Sequence, residues 1–229
     1  MTIYQIESGV PLPSKARDAF DKSCKDVDRL LEIHEHLGGK EKGRRYQLEV
    51  LNKSAIVLIT AIWEAYCEDI TSEAIEHIVK ESPNAQALTE EIRKSVAKEL
   101  KRDNHDLAVW GLADDGWRSV LRARLEKMQT ERARNWNTPK AANVKSLFSE
   151  TLGIDITAGW NWKGMSSQQA RTKLDYYVNL RGEIAHRAKA SECSKSHVED
   201  FLNHVQRLVK NTGQYVSNQV KGITGTTPW

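Results

Sequence analysis

The most constraining feature of this 229-residue sequence is a long stretch without glycine. Between Gly43 and Gly111 there is no glycine, and Pro83 is the one proline. Strand turns depend on these residues, whereas helix interiors exclude them. The stretch therefore predicts two or three helices and disfavours a β-meander.

The centre of that stretch is strongly apolar, with 11 apolar residues among the 14 from Ser54 to Cys67. The run is shorter than the roughly 20 residues that span a bilayer, and it contains Thr60 and Glu64. It predicts a core helix from about Arg44 to Glu81, which ends because Pro83 follows. Apolar residues on several faces indicate a helix at the centre of a bundle.

Capping signals divide the rest of the chain into further helices. Ser14 begins a first helix that stops at Gly38-Gly39, and Thr89 begins a third. Later starts are predicted at four places: a basic helix from Trp117 to about Arg134, a helix from Lys140 to about Leu152 capped by Thr138, and capping boxes at Ser166 and Ser196. Strict alternation of apolar and polar residues is absent. The sequence predicts an all-α bundle of about five to seven helices.

We expect three parts along the chain. Residues 1–43 form an N-terminal helix that packs on the core. Residues 44–215 form a helical domain with a basic, tryptophan-containing insertion at about 103–165. Residues 216–229 form a C-terminal tail.

Several classes of protein are disfavoured. The N-terminus lacks a basic start and an apolar run, so no secretory signal is predicted. Cys24, Cys67 and Cys193 are odd in number and far apart, which favours a reducing, cytoplasmic compartment. The apolar run is too short to span a bilayer, so we expect no membrane partner. The histidines show no metal-binding spacing, and the phosphate-binding and hydrolase motifs are missing, so we expect no metal and no cofactor.

Arg181 and His186 are the candidate catalytic residues. They stand five apart near the end of the helix that starts at Ser166. On a regular helix this spacing turns about 140° and rises about 7.5 Å, so the two side chains converge only through distortion or a partner. A helix C-terminus stabilises a protonated imidazole. Together the two groups suit RNA cleavage by the 2′-hydroxyl, which needs a base, an acid and a cation at the phosphate. The alternative is structural: Arg181 pairs with Glu183 or Glu64, and His186 caps carbonyl groups.

The segment Leu180-Arg-Gly-Glu-Ile-Ala-His-Arg187 resembles the Arg-x4–6-His signature of HEPN domains. Ile59-Thr-Ala-Ile-Trp-Glu-Ala-Tyr66 is similar to the Trp-Glu-x-Tyr helix of the RiboL-PSP-HEPN and related prokaryotic subfamilies. Further blocks follow in the same order over about residues 45 to 210, at Asn137-Thr-Pro139, Asn143 to Phe148, Leu152 to Ile154 and Trp160-x-Trp162.

The resemblance implies an all-α, metal-independent endoribonuclease that acts as a toxin or antiphage effector. Arg181 and His186 take the motif positions, and two protomers form a composite cleft. Active relatives often carry Asn, Asp or His after the arginine, where this chain has Gly182. Asn179 or Glu183 then replaces that polar group. For a chain with Gly182, a non-catalytic HEPN module that binds RNA or a partner protein stays an alternative.

Glu64 is the remaining candidate in the apolar helix, because a carboxylate there is costly to bury without a partner. It orients Arg181 or His186, or it belongs to a structural ion pair or an exposed helix edge. We hold these interpretations as equal at this point.

A basic segment precedes the candidate active helix. The chain has a net charge of +3, of which residues 117–145 contribute +6 and the rest −3. Basic residues near Trp117 and Trp136 suit single-stranded RNA, whereas Trp160 and Trp162 are predicted to pack in the core. The alternative for a charge run is a solvated helix face. The predicted RNA-binding residues are Arg118, Arg122, Arg124, Lys127, Arg132 and Arg134.

The expected partners are therefore RNA, a second copy of the chain, and a cognate antitoxin or defence protein.

Overall fold

The computed structural model describes residues 13–38, 48–101, 105–123, 126, 138–186 and 193–229. Within these ranges the chain is helical, and its single β-bridge joins Trp162 and Met165. The helices are α1 (Lys15–Gly38), α2 (Glu49–Glu81), α3 (Glu90–Leu100), α4 (described over 116–123), α5 (Ala141–Leu152), α6 (Ser167–His186) and α7 (Lys195–Thr224). Short 3₁₀ helices cover Ala85–Ala87, Ala108–Leu112 and Ile156–Gly159. The predicted all-α class is confirmed.

Helix α2 lies at the centre and packs against α1, α5, α6 and α7. Trp63 and Tyr66 are buried within it, and each satisfies its polar atom on a distant backbone carbonyl. Trp63 Nε1 donates to the oxygen of Pro139 at 3.3 Å, and Tyr66 Oη donates to the oxygen of Val209 at 3.0 Å. Helix α2 is long and apolar enough to cross a membrane, a property that the core helix of a folded domain shares. The packing on four helices accounts for its apolar character.

The start of α1 is fixed by two caps. Ser14 Oγ accepts the backbone N–H of Arg17 at 3.0 Å, as its position in the sequence predicted. The carboxylate of Glu73 on α2 accepts the N–H groups of Lys15 and Ala16 at 3.1 and 3.2 Å. A negative charge at a helix N-terminus is favourable, so Glu73 both caps α1 and ties it to α2.

The start of α5 differs from the prediction. Thr138 provides no side-chain cap; its carbonyl accepts from Asn143 Nδ2 at 2.8 Å. The first N–H of the helix, that of Ala141, instead donates to Asp175 Oδ1 of α6 at 2.8 Å. A cap from another helix leaves no local sequence signal, which is why the prediction failed.

The predicted capping boxes of α6 and α7 have different outcomes. The box of Ser166 and Gln169 is present at the start of α6, with Ser166 N–H donating to Gln169 Oε1 at 2.9 Å. The predicted box at Ser196 is wrong. Ser194 caps α7 instead. Its Oγ accepts the backbone N–H of His197 at 3.2 Å, and Nδ1 of His197 accepts the backbone N–H of Ser194 at 3.4 Å.

The C-terminal boundary also needs correction. A tail was expected from residue 216, but α7 continues to Thr224. Val216 and Val220 are buried, so this part of the helix belongs to the core.

Trp160 and Trp162 pack in the fold, as predicted. Trp160 is fully buried, meets Trp63 edge-on at 5.9 Å and donates from Nε1 to Thr212 Oγ1 at 2.9 Å. Trp162 is partly buried against the core and lies 5.7 Å from the ring of His204.

Candidate functional site

Helix α6 carries the Arg-x4-His motif in regular helical conformation through His186. At 100° per residue, Arg181 lies within about 40° of Tyr177, on the side of α6 that packs into the bundle. His186 lies about 180° from Tyr177 and is exposed. The distortion that would bring the two motif side chains together within one chain is therefore not present in α6. They project about 140° apart.

Arg181 is half-buried beside α2, and its charge acts on Glu64. Burial raises the pKa of Glu64, the carboxylate of Glu68 raises it further, and the guanidinium of Arg181 lowers it. Within the described part of the chain, the Arg181 side chain has no hydrogen-bond or ion-pair partner. Arg181 thus acts on Glu64 electrostatically, but the two side chains form no salt bridge.

The exposed side of α6 forms one stripe, which we call the α6 stripe: Tyr176, Asn179, Glu183 and His186. All four are exposed, and they fall within about 80° around the helix axis. Asn179 and Glu183, proposed from the sequence as replacements for a polar group after the arginine, lie on the His186 side of the helix. Neither lies on the Arg181 side.

Gly182 occupies open space. A Cβ atom built at this position meets no atom within 4 Å among the described residues. The backbone conformation is helical and requires no glycine. Packing against the described residues therefore gives no structural reason for the missing side chain beside Arg181.

The basic segment is only partly described. Arg124, Lys127, Arg132 and Arg134, together with Trp136, lie outside the described residues. Arg122 is exposed on α4, in keeping with a surface role. Its predicted contact with RNA stays a prediction.

Arg118 does not occupy an open RNA-binding position. Its guanidinium donates to the carbonyl oxygens of Val79 and Ser82, the latter at 2.7 Å, and so caps the C-terminal end of α2. It also pairs with Asp115 at 3.2 Å and lies over the ring of Trp117 at 4.3 Å. Sequence alone could not distinguish this capping arginine from its neighbours on the same helix.

Trp117 is likewise unavailable to a stacked base, because only 5% of it is exposed. Trp110 and Tyr176 are the large aromatic side chains exposed in the described part of the chain. Tyr176 was not singled out from the sequence. The signal that could have found it is its spacing of three and seven residues from Asn179 and Glu183.

Three histidines outside the motif make contacts within the fold. His204 is buried, and its Nε2 contacts the carbonyl oxygen of Ala170 at 3.0 Å. Nε2 of His77 contacts Thr226 Oγ1 at 2.9 Å, and His197 caps α7. Among the described residues there is no group of three or more His, Cys, Asp or Glu side chains that could hold a metal ion.

These features define an all-α bundle with an arginine held beside a half-buried carboxylate and a histidine exposed at the end of the same helix. The RiboL-PSP-HEPN family model matches residues 22–218, which include α2, α6 and most of α1 and α7. The chain belongs to the RiboL-PSP-HEPN family and contains a HEPN-type domain. Comparison with curated proteins and with solved structures gave no match. Family membership supports a ribonuclease or an RNA-binding module as the class of protein.

Proposed function

We propose that this protein is a metal-independent endoribonuclease in which Arg181 binds the scissile phosphate and His186 transfers protons. The observation that carries the proposal is the state of Arg181. Arg181 is half-buried, lowers the pKa of Glu64 and has no ion-pair partner in the described part of the chain. A guanidinium that no described carboxylate neutralises suits the charge that develops on a phosphate.

The reaction follows from the residue types. A neutral imidazole removes the proton of the 2′-hydroxyl, whose oxygen attacks the adjacent phosphorus. The bond from phosphorus to the 5′-oxygen breaks, and an imidazolium donates a proton to that leaving oxygen. The products carry a 2′,3′-cyclic phosphate and a 5′-hydroxyl. A guanidinium neutralises the additional negative charge of the phosphorane.

We propose further that the site is composite and formed by two copies of the chain. One imidazole cannot act as base and acid on opposite sides of the same phosphorus, whereas a two-fold pair of His186 side chains supplies both. Arg181 and His186 also point apart within one chain. On α2, the exposed residues Val50, Val57 and Ala61 continue along the side that carries Glu64, which offers an apolar surface for a partner.

The proposal is tested with purified protein and total RNA in excess EDTA. Cleavage that survives chelation and is lost in His186→Ala and Arg181→Ala supports it. Trp110→Ala provides a matched control, because Trp110 is exposed and distant in sequence from the motif. Absence of cleavage in every RNA pool at protein concentrations that saturate RNA binding contradicts it.

The second candidate is a non-catalytic HEPN module that binds RNA or a protein, and Gly182 is the observation that favours it. The open space around Gly182 lets a polar side chain fit there, yet the chain has none. Under this alternative, Gly182→Asn creates cleavage that the natural chain lacks. Under the proposed function, the natural chain already cleaves RNA.

A toxin or antiphage role, with a cognate antitoxin or defence partner, completes the proposal. Growth arrest on expression that is abolished by Arg181→Ala and His186→Ala together supports it. Arrest that persists unchanged in the double variant contradicts a role for this site in toxicity.

A further inference from the structure

Tyr176 stands out because it is a large aromatic side chain left half exposed on an ordered helix. Its exposed fraction is 52%, while the neighbouring Tyr177 is buried. It belongs to the α6 stripe and precedes His186 by ten residues, or about 15 Å along the helix axis. A ligand that reaches from His186 along this stripe meets Tyr176 after a few nucleotides.

The ring of Tyr176 is held in place from behind. It packs edge-on against Tyr177, with ring centroids 5.0 Å apart and planes at 74°. Tyr177 is stacked on Phe201 at 4.4 Å and donates from Oη to Asp200 at 2.6 Å. Lys173 holds the other oxygen of Asp200 at 2.7 Å. Because its support is fixed, the exposed ring is preorganised for a planar partner.

The polar groups of the stripe select the kind of partner. Between Tyr176 and His186 stand Asn179 and Glu183, and neither carries a positive charge. A carboxylate repels phosphates and accepts hydrogen bonds from the N–H groups of base edges, and an amide both donates and accepts. A stripe made of a ring, an amide and a carboxylate suits unpaired bases. Arg181 lies about 140–160° around α6 from the stripe, so it suits the phosphate through the composite site of two copies of the chain.

We propose that Tyr176 is a stacking platform for a nucleobase of single-stranded RNA a few nucleotides from the cleavage site, with Asn179 and Glu183 facing the edges of the intervening bases. The inference rests on the proposed function for its position relative to the scissile phosphate. It goes beyond that function because it assigns a base-binding site and predicts that the enzyme prefers unpaired RNA.

The experiment measures binding and therefore does not depend on cleavage. Full-length His186→Ala protein is titrated into a fluorescent single-stranded RNA and into an abasic RNA of the same length and charge. We expect tighter binding of the RNA with bases. Adding Tyr176→Ala should weaken that binding by roughly fivefold to a hundredfold and leave the abasic RNA unaffected. Tyr176→Phe should keep the preference, and Trp110→Ala, which removes another exposed aromatic side chain, should not change it.

The possible outcomes separate the two proposals. Suppose that base-dependent binding is lost in Tyr176→Ala and that the natural chain does not cleave RNA. This result supports the stacking platform and contradicts the nuclease. If the natural chain cleaves RNA but Tyr176→Ala leaves the affinity for both RNAs unchanged, the platform alone is overturned. A change from dimer to monomer in Tyr176→Ala, measured by light scattering, also overturns it, because the ring then contacts a second copy of the chain. Absence of binding to either RNA overturns both.

Discussion

Arg181 on α6 acts electrostatically on Glu64 on α2. Burial and the carboxylate of Glu68 raise the pKa of Glu64, and the guanidinium of Arg181 lowers it. The net shift of the Glu64 pKa is upward, so the carboxylate is held in its charged form at a cost. A role of Glu64 in orienting Arg181 therefore stays a prediction.

Replacing Glu64 by Gln should stabilise the fold and reduce cleavage. A carboxyl whose pKa is raised by folding binds more protons in the native state, so its contribution to the free energy of unfolding falls as pH rises through the raised pKa. At neutral pH the uncharged amide of Gln avoids the cost of burying the charged carboxylate of Glu64. Thermal unfolding of the Glu64→Gln protein checks the expected gain in stability, and its rate of RNA cleavage checks the expected loss of activity. A lower unfolding temperature would instead show that Glu64 forms a stabilising ion pair.

Gly182→Ala should raise the free energy of unfolding by about 0.5–1 kcal/mol, because glycine is costly inside a helix and the added Cβ meets open space. Gly213 provides the matched control. A Cβ there lies 3.1 Å from the hydroxyl of Tyr66, which is bonded to Val209, so Gly213→Ala should bring no gain. Urea unfolding measures both variants. Equal destabilisation by the two would contradict the open space at Gly182.

Two arginines of α4 should behave differently when they are replaced. Arg118→Ala should destabilise the protein, whereas Arg122→Ala should weaken RNA binding. Arg118 holds two carbonyl groups at the end of α2, and loss of charged hydrogen bonds of this kind costs about 1–3 kcal/mol. Arg122 is exposed, so its removal leaves stability unchanged and reduces the slope of log affinity against log salt concentration by roughly 0.7. Unfolding curves and salt titrations check this pair. Unchanged RNA affinity in Arg122→Ala would favour a solvated helix face.

The stability of the fold should decrease below about pH 6.5 because of His204. Burial lowers the pKa of His204 from 6.5 to about 4, so on acidification the unfolded chain binds a proton that the folded chain does not. The free energy of unfolding therefore falls as pH decreases over this window, by up to roughly 3 kcal/mol from this group. Urea unfolding at several pH values measures the slope. His204→Gln keeps a hydrogen-bond donor for the carbonyl of Ala170 and should reduce the slope of the free energy of unfolding against pH. An unchanged slope would show that other groups cause the pH dependence.

Much of the fold follows from local signals in the sequence. The glycine-free stretch predicted the helices α2 and α3, Ser14 and Ser166 marked the starts of α1 and α6, and Trp160 was correctly assigned to the core. The failure at the start of α5 has a physical cause, because the capping group, Asp175, comes from α6. At α7 the cap is local, but Ser194 provides it and not Ser196.

The placement of the candidate site residues on α6 was predictable, but their surroundings were predictable only in part. Spacing within α6 places Arg181 and His186 on different sides of the helix, and the regular helix through His186 agrees with that calculation. The proximity of Glu64 to Arg181 depends on how α2 packs on α6, which no local pattern encodes. Tyr176 was missed because exposure, and not residue type, distinguishes it from Tyr177.

The most direct test of the central claim is the chemistry of the RNA ends after incubation with purified protein in EDTA. The account predicts fragments with a 2′,3′-cyclic phosphate and a 5′-hydroxyl, made by the natural chain and absent with folded Arg181→Ala and His186→Ala proteins. Fragments with a 5′-phosphate, or the same cyclic ends in both variants, would contradict it.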